Sequence, residues 1–190
     1  MDFLKKQRKE HLFVTADTHF GHKNVIQYCN RPFSSIEEMD ETIIRNWNSV
    51  VMPSDTVIHL GDFALGPKGS LAHYVEQLNG TILLMKGNHD RTASFWRQFD
   101  PKIKMLEYGY CLPAMTHGYS GIIFSHRPME LSQIPDGYVN LHGHIHSTPT
   151  NRKYNYPPHI DCGVDYWNFT PQSIKTILDT ILSEENHTNT

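Results

Sequence analysis

Short apolar runs alternate with helical patterns over the first hundred residues, and the helical patterns then thin out. His11 to Ala16, Thr56 to Leu60 and Thr81 to Met85 are brief runs rich in β-branched and apolar side chains. Their length and the turn-forming residues around them (Asn79-Gly80 before the third) predict buried strands. Between the first two runs, Ile36, Met39, Ile43, Ile44, Trp47, Val50 and Val51 recur with helical period behind Ser35-x-x-Glu38, a capping-box spacing, and Pro53-Ser54-Asp55 ends them. A short segment from Val25 to Tyr28, broken by Arg31-Pro32, precedes that helix. A helix from about Ser70 to Leu78 follows the Gly66-Pro67-Lys68-Gly69 loop, and another is expected near Thr92 to Phe99. Past Pro101 strands dominate: Ile103 to Leu112 and Gly121 to Ser125, a hairpin turning around His117-Gly118-Tyr119, then Tyr138 to Leu141 and His159 to Gly163. Pro171 to Leu182 closes the pattern as a helix with Ile174, Ile177, Leu178 and Ile181 on one face, and the polar tail after Ser183 is expected to fray. Strands alternating with helices and then running alone predict a layered α/β domain with a mixed central sheet.

Composition narrows the class. The 190 residues fit one domain, 1–190, and 38% hydrophobic content suits a globular core rather than disorder. No stretch approaches the roughly twenty apolar residues of a membrane span. Met1 to Glu10 is charged and lacks the apolar centre of a signal peptide. Cys29, Cys111 and Cys162 are odd in number and widely spaced, which reads as reduced thiols in a cytoplasmic protein. A net charge of −3 makes no electrostatic case for coating nucleic acid or a membrane. The unusual count is 13 histidines, several of them at strand ends beside glycine.

Ligands of layered α/β proteins bind where strands deliver their carboxyl ends. Five such ends carry Asp17 and His19, Asp62, Asn88 and His89, His126, and His144 and His146. Gly87, before Asn88, allows a sharp turn and a close backbone approach. Oxygen and imidazole donors without thiolate suit Mn, Fe, Co, Ni or Zn. So many donors fit two divalent ions, which a shared carboxylate holds about 3.5–4 Å apart. Two such ions outweigh the charges of Asp17 and Asp62 and attract phosphate. Arg31 and Arg127 are candidate phosphate clamps, because a guanidinium matches phosphate bidentately. For Arg31 an ordinary salt bridge is the equal alternative. His22 either reaches a substrate or caps the following helix. His59, mid-strand between Ile58 and Leu60, reads as a hydrogen-bonded core residue. His117 competes with His126, which is preferred because it follows the run Ile122-Ile123-Phe124 directly. His142 reads as core or as support behind the ligands. Tyr154, Tyr156, Tyr166 and Trp167 are either a stacking wall for a base or ordinary aromatic packing.

Taken in order, Asp17-x-His19, Gly61-Asp62, Gly87-Asn88-His89-Asp90, Ser125-His126 and Gly143-His144-x-His146 resemble the signature of calcineurin-like metallophosphoesterases over roughly residues 12–165. Phe20-Gly21-His22 and Arg127-Pro128 further resemble a compact bacterial and phage branch of that superfamily. The resemblance implies an α/β fold, a β-sandwich of mixed sheets flanked by helices. It implies one metal held by Asp17, His19, Asp62 and His146 and a second held by Asp62 (bridging), Asn88, His126 and His144. His89 would be the acid and Asp90 its orienting partner. The implied activity is hydrolysis of a small phosphomonoester or phosphodiester, a nucleotide among them, by metal-activated hydroxide. The alternative is a non-catalytic protein-interaction module of the same fold. Polymeric nucleic acid is disfavoured by the charge and by the lack of an appended DNA-binding domain, though still open. Native metal, substrate and oligomeric state are not fixed by these motifs.

Overall fold

The computed structural model describes residues 11–116, 119–151 and 157–180. Two sheets face each other. In the first, β1 (Leu12–Thr15), β2 (Thr56–His59), β3 (Thr81–Met85) and β4 (Ile103–Leu106) run parallel, and β9 (Gln172–Ser173) joins β1 antiparallel, in the order β4-β3-β2-β1-β9. In the second, β5 (Cys111–Thr116) pairs antiparallel with β6 (Tyr119–Phe124), and β7 (Tyr138–His142) and β8 (His159–Asp161) continue in parallel.

Strand alternation places side chains on both faces of the first sheet, and both faces are buried. Leu12, Val14, Ile58, Leu83 and Met85 point towards the second sheet and pack on Leu112, Ile122, Phe124, Val139, Leu141 and Ile160. Phe13, Val57, Ile82 and Leu84 point the other way, onto helices α2 (Ile36–Val50) and α3 (Lys68–Gln77), through Met39, Ile43, Trp47, Leu71, Val75 and Leu78. Trp47 also anchors α2 by donating from Nε1 to Asn79 O at 3.0 Å. Two shorter helices, α1 (Lys23–Tyr28) and α4 (Ala93–Trp96), complete that layer. Helix α5 begins at residue 174, and its Ile174, Ile177 and Leu178 join the core between the sheets. An isolated parallel bridge, Ala16 to Gly163, brings the two sheets together where β1 ends, one residue before Asp17.

Most elements lie where the apolar pattern puts them, with instructive differences. The run Ile103 to Leu112 is two strands in different sheets. The chain turns through Gly109 (φ +74°), whose N–H reaches Phe124 O at 3.0 Å, and crosses from β4 to β5. An apolar run carries no mark of which sheet it will join. The segment before α5 contributes β9, too short to stand out by periodicity. The expected capping box is half formed: Ser35 Oγ accepts from Glu38 N at 3.2 Å, but the Glu38 carboxylate accepts from Ser34 N and Oγ instead. No helix among the described residues is long and apolar enough to cross a membrane.

Candidate metal centre

The parallel strands and their exit loops deliver the expected donors to one end of the sandwich. Among the described residues, three sets of possible ligands gather there, of which one, Cys29, His146 and Asp165, overlaps another at His146, and the two described next share no residue. Asp17, His19 and His146 place ligand atoms within 4.8 Å of one another, and so do Asp62, His126 and His144. Asp62 Oδ2 stands between the groups, 3.6 Å from His19 Nε2 and 3.5 Å from His126 Nε2. Asn88 Oδ1 is 2.9 Å from His126 Nε2, on the second group's side.

Hydrogen bonding leaves the right atoms open. His126 Nδ1 donates to Leu60 O at 2.9 Å, which fixes the tautomer and turns the Nε2 lone pair towards Asn88 Oδ1 and Asp62 Oδ2. His146 Nδ1 donates to Asp165 Oδ2 at 2.7 Å, leaving Nε2 for a metal. Each carboxylate has one oxygen held by the backbone: Asp62 Oδ1 accepts from His89 N at 2.8 Å and Asp17 Oδ2 from His144 N at 2.7 Å. The other oxygen of Asp17, Oδ1, is buried without a hydrogen-bond partner. An orphaned buried carboxylate oxygen beside imidazoles fits a site for a cation. Burial pushes the Asp17 carboxyl well above its usual range. Burial likewise lowers His19 and, against the opposing pull of Asp62, His126. His144 is pushed down to about 4 by burial and by the charges of His126 and Arg127. A lowered affinity for protons leaves the lone pairs of these three imidazoles more available to a metal. Burial alone would lower His146 too, but its hydrogen bonds to Asp165 and Cys29 and the charge of Asp17 push it up to about 11.

Backbone strain marks the same residues. Asp17, His19, Asp62, His144 and His146 all have positive φ, between 51° and 71°. Each such residue costs about 1–2 kcal/mol, and strain of this kind collects at functional sites. Close packing holds the loops: a Cβ on Gly87 would lie 2.2 Å from Asp62 Oδ1, and one on Gly143 would lie 2.7 Å from Asp17 Oδ2.

The remaining expected residues divide. His89 is exposed at the mouth, its ring 5.4 Å from that of His19 and 5.9 Å from that of His22. His22 stands at the N-cap of α1 but makes no side-chain cap. Its Nδ1 lies 3.4 Å from His19 Nδ1, so it faces the site. Arg127 is exposed and close enough for its charge to bear on His126 and His144. Asp90 is not the orienting partner of His89. Its carboxylate accepts from Asp62 N (2.7 Å), Gly87 N (2.8 Å) and Phe63 N (2.9 Å), fastening the β2 and β3 exit loops together, and among the described residues it shares no hydrogen bond with His89. Arg31 is not a phosphate clamp either. It is 5% exposed, and all five guanidinium donors are engaged: by both oxygens of Asp165, by Asp17 O, by Thr18 O and by Met39 Sδ. Of the two readings the sequence left open for Arg31, the ion pair is the one found, though buried against a distant loop rather than at the surface.

His59 is the core histidine expected. Its neutral ring donates from Nε2 to Thr18 Oγ1 at 3.0 Å and accepts from Gly61 N at 3.2 Å. His142 is buried, with Nδ1 donating to Gly143 O at 2.9 Å. Tyr166 and Trp167 pack edge to face at 5.1 Å, and Trp167 Nε1 donates to Asp161 O at 2.8 Å. His117, Tyr154 and Tyr156 lie outside the described residues. The residue that sequence reading missed is Asp165, behind His146. The available signal was an acid just past a strand end with glycine nearby (Gly163-Val164-Asp165), the same kind that marked Asp62.

A sandwich of two mixed sheets with groups of buried His and Asp donors at its strand exits offers a candidate metal-binding centre. The model of the calcineurin-like phosphoesterase family matches residues 11–184, and the chain belongs to that family. It is similar to the uncharacterised protein MJ1445 of Methanocaldococcus jannaschii, with 34% identity over 90% of each chain. It is also similar to the gene 66 protein of Mycobacterium phage L5, with 26% identity over 82% of this chain and 86% of that one. Among solved structures it resembles a protein of unknown function, AQ665, from Aquifex aeolicus, with a TM-score of 0.69 and 23% identity over 90% of this chain and 98% of that one. At that identity the likeness bears on the fold alone.

Proposed function

We propose that this protein is a two-metal phosphoesterase that hydrolyses a small phosphomonoester or phosphodiester, nucleotides included. The observation that carries the reading is Asp62 Oδ2, equidistant to within 0.1 Å from a histidine of each donor group (3.6 and 3.5 Å). One ion is assigned to Asp17, His19, Asp62 and His146, the other to Asp62, Asn88, His126 and His144. The donor set favours Mn, Fe, Co, Ni or Zn. Two divalent ions bound there supply a water nucleophile acidified at neutral pH and positive charge for the phosphoryl oxygens.

The chain's own residues do the rest. His89, exposed at the mouth with its backbone N–H fixed to Asp62, is placed to protonate the leaving oxygen. Arg127, free of side-chain hydrogen bonds among the described residues, is the remaining candidate to hold a phosphoryl oxygen. His22 lines the same mouth, within reach of a group bound there. An exposed acid at the mouth speaks against a purely scaffolding role. The protein is proposed to work in the cytoplasm, supported by three cysteines that do not pair.

The test is metal content together with turnover. Protein reconstituted with Mn²⁺, Ni²⁺ or Mg²⁺ and given a panel of phosphoesters should bind two ions and hydrolyse at least a nitrophenyl ester. Two bound ions without turnover of any ester would leave the scaffold reading standing in its place.

A further inference from the structure

Three positive-φ residues other than glycine are not metal ligands: Asn30, Asn168 and Phe169. Asn168 (φ 50°) and Phe169 (φ 57°) are consecutive, at the centre of a turn closed by Thr170 N donating to Trp167 O at 3.1 Å. Two left-handed residues in that position make a type I′-like turn, which ordinarily favours glycine at its second centre. A phenylalanine there is strained, and its ring shows what the strain supports. Phe169 is buried against Phe33 at 4.7 Å, with the Arg31 guanidinium 5.7 Å from its centroid.

Arg31, pressed under that ring, meets only one half of the centre. Its Nη2 donates to Asp17 O at 2.7 Å and its Nη1 to Thr18 O at 3.1 Å, fixing the strained turn that presents Asp17 and His19. Its Nε and Nη2 grip both oxygens of Asp165 at 2.8 and 2.9 Å, and Asp165 Oδ2 receives His146 Nδ1 at 2.7 Å. One guanidinium therefore ties down all three residues of the first donor group. Among the described residues, none of its hydrogen bonds goes to Asp62, Asn88, His126 or His144.

We propose that Asp165, locked by Arg31 beneath the strained Asn168–Phe169 turn, is a positioning residue that presents His146 Nε2 to the ion held with Asp17 and His19, and to that ion alone. A carboxylate can accept from His146 and Arg31 together, whereas an amide offers one oxygen and turns a donor towards the other partner. An Asn here would favour the His146 tautomer with its proton on Nε2, the ligating atom. Both oxygens of Asp165 are already taken, Oδ1 by Arg31 and Oδ2 by Arg31 and His146, which fits a positioning role rather than ligation. The proposal rests on the two-ion reading above.

The test is titration of metal-free protein with Co²⁺, followed by calorimetry and by the visible absorption of the bound ion. Asp165→Asn should weaken one of the two ions about 10–100-fold, as is typical when the partner behind a metal-binding histidine is removed. The other ion should keep its affinity within about twofold. The remaining Co²⁺ spectrum should match that of His146→Ala and not that of His126→Ala. Because Asp165→Asn leaves Arg31 without its partner and risks the fold, Arg31→Lys is the second variant. It keeps the charge, loses the bidentate grip, and should weaken the same ion selectively. Equal weakening of both ions, or of neither, in the folded variants would overturn the proposal. Wild-type protein that binds fewer than two ions would overturn the two-ion reading itself, before any variant is made.

Discussion

At the scale of single residues, Asp62 is distinguished by what surrounds each of its oxygens. Oδ1 is held by His89 N, and Oδ2 faces a histidine from each donor group. Asn88 has its amide oxygen near His126 only. Asp62→Asn should therefore lower the content of both ions, and Asn88→Ala that of one. Elemental analysis of the purified variants decides this, and two ions retained by Asp62→Asn would refute the bridging assignment. His89 differs in kind, since its ring is exposed and belongs to neither donor group. His89→Ala should keep both ions yet lose about 10²–10⁴-fold in kcat on an alkyl or nucleoside ester, where the leaving oxygen needs a proton. On a nitrophenyl ester, whose leaving group needs little protonation, the loss should be much smaller. Equal losses on the two esters would give His89 a role in charge stabilisation instead, provided a burst test shows chemistry to be rate-limiting.

At the scale of elements, the site is made by strand exits pressed against one another. The β2 exit (Gly61-Asp62) and the β3 exit (Gly87-Asn88) are in van der Waals contact and are sewn together by Asp90 through three backbone N–H groups. This explains why glycine stands at 87. Its φ lies outside the left-handed region, but a Cβ would sit 2.2 Å from Asp62 Oδ1 and 2.3 Å from Asp62 N. Gly87→Ala should destabilise the fold by about 1–3 kcal/mol through overpacking. It should also lower the content of both ions, because the displaced residue is the one proposed to serve both. Thermal unfolding and metal analysis of that variant check both parts, and an unchanged metal content would show that the contact is soft.

At the scale of the whole molecule, the protein buries neutral histidines at the seam between the first sheet and its loops, and this bears on acid stability. Burial, helped by the charge of His126, pushes His59 from 6.5 down to about 3. Its folded pKa is below its unfolded one, so the unfolded chain takes up a proton that the folded chain refuses. The stability His59 contributes is complete above pH 6.5 and is lost as pH falls from there towards 3. His59→Gln, which also disturbs the bonds to Thr18 and Gly61, should cost about 1–3 kcal/mol at pH 7.5 and clearly less at pH 5. Urea unfolding of the metal-free proteins at the two pH values measures this. A cost that does not change with pH would mean that His59 titrates alike in both states.

The same three scales separate what could be read along the chain from what could not. Apolar runs and strand-end donors were legible because a β-strand and the polar residues at its exit lie side by side in sequence. A run such as Thr81 to Met85 declares itself in five residues, and Gly87-Asn88-His89 follows at once. The choice of sheet was not legible. Ile103 to Leu112 divides between two sheets, and whether an apolar segment pairs with β3 or β6 depends on neighbours far away in sequence. Polar partners were not legible either. Asp90 looked like a companion of the adjacent His89, but its carboxylate reaches back to the loop that begins with Asp62. Arg31 could be read equally as a phosphate clamp or as one half of a salt bridge, and nothing near it named its partner, Asp165, 134 residues later. Donor identity is a property of a side chain and survives in the linear order. Which lone pair or N–H is already taken depends on burial and on contacts across the fold, and only the folded chain decides it.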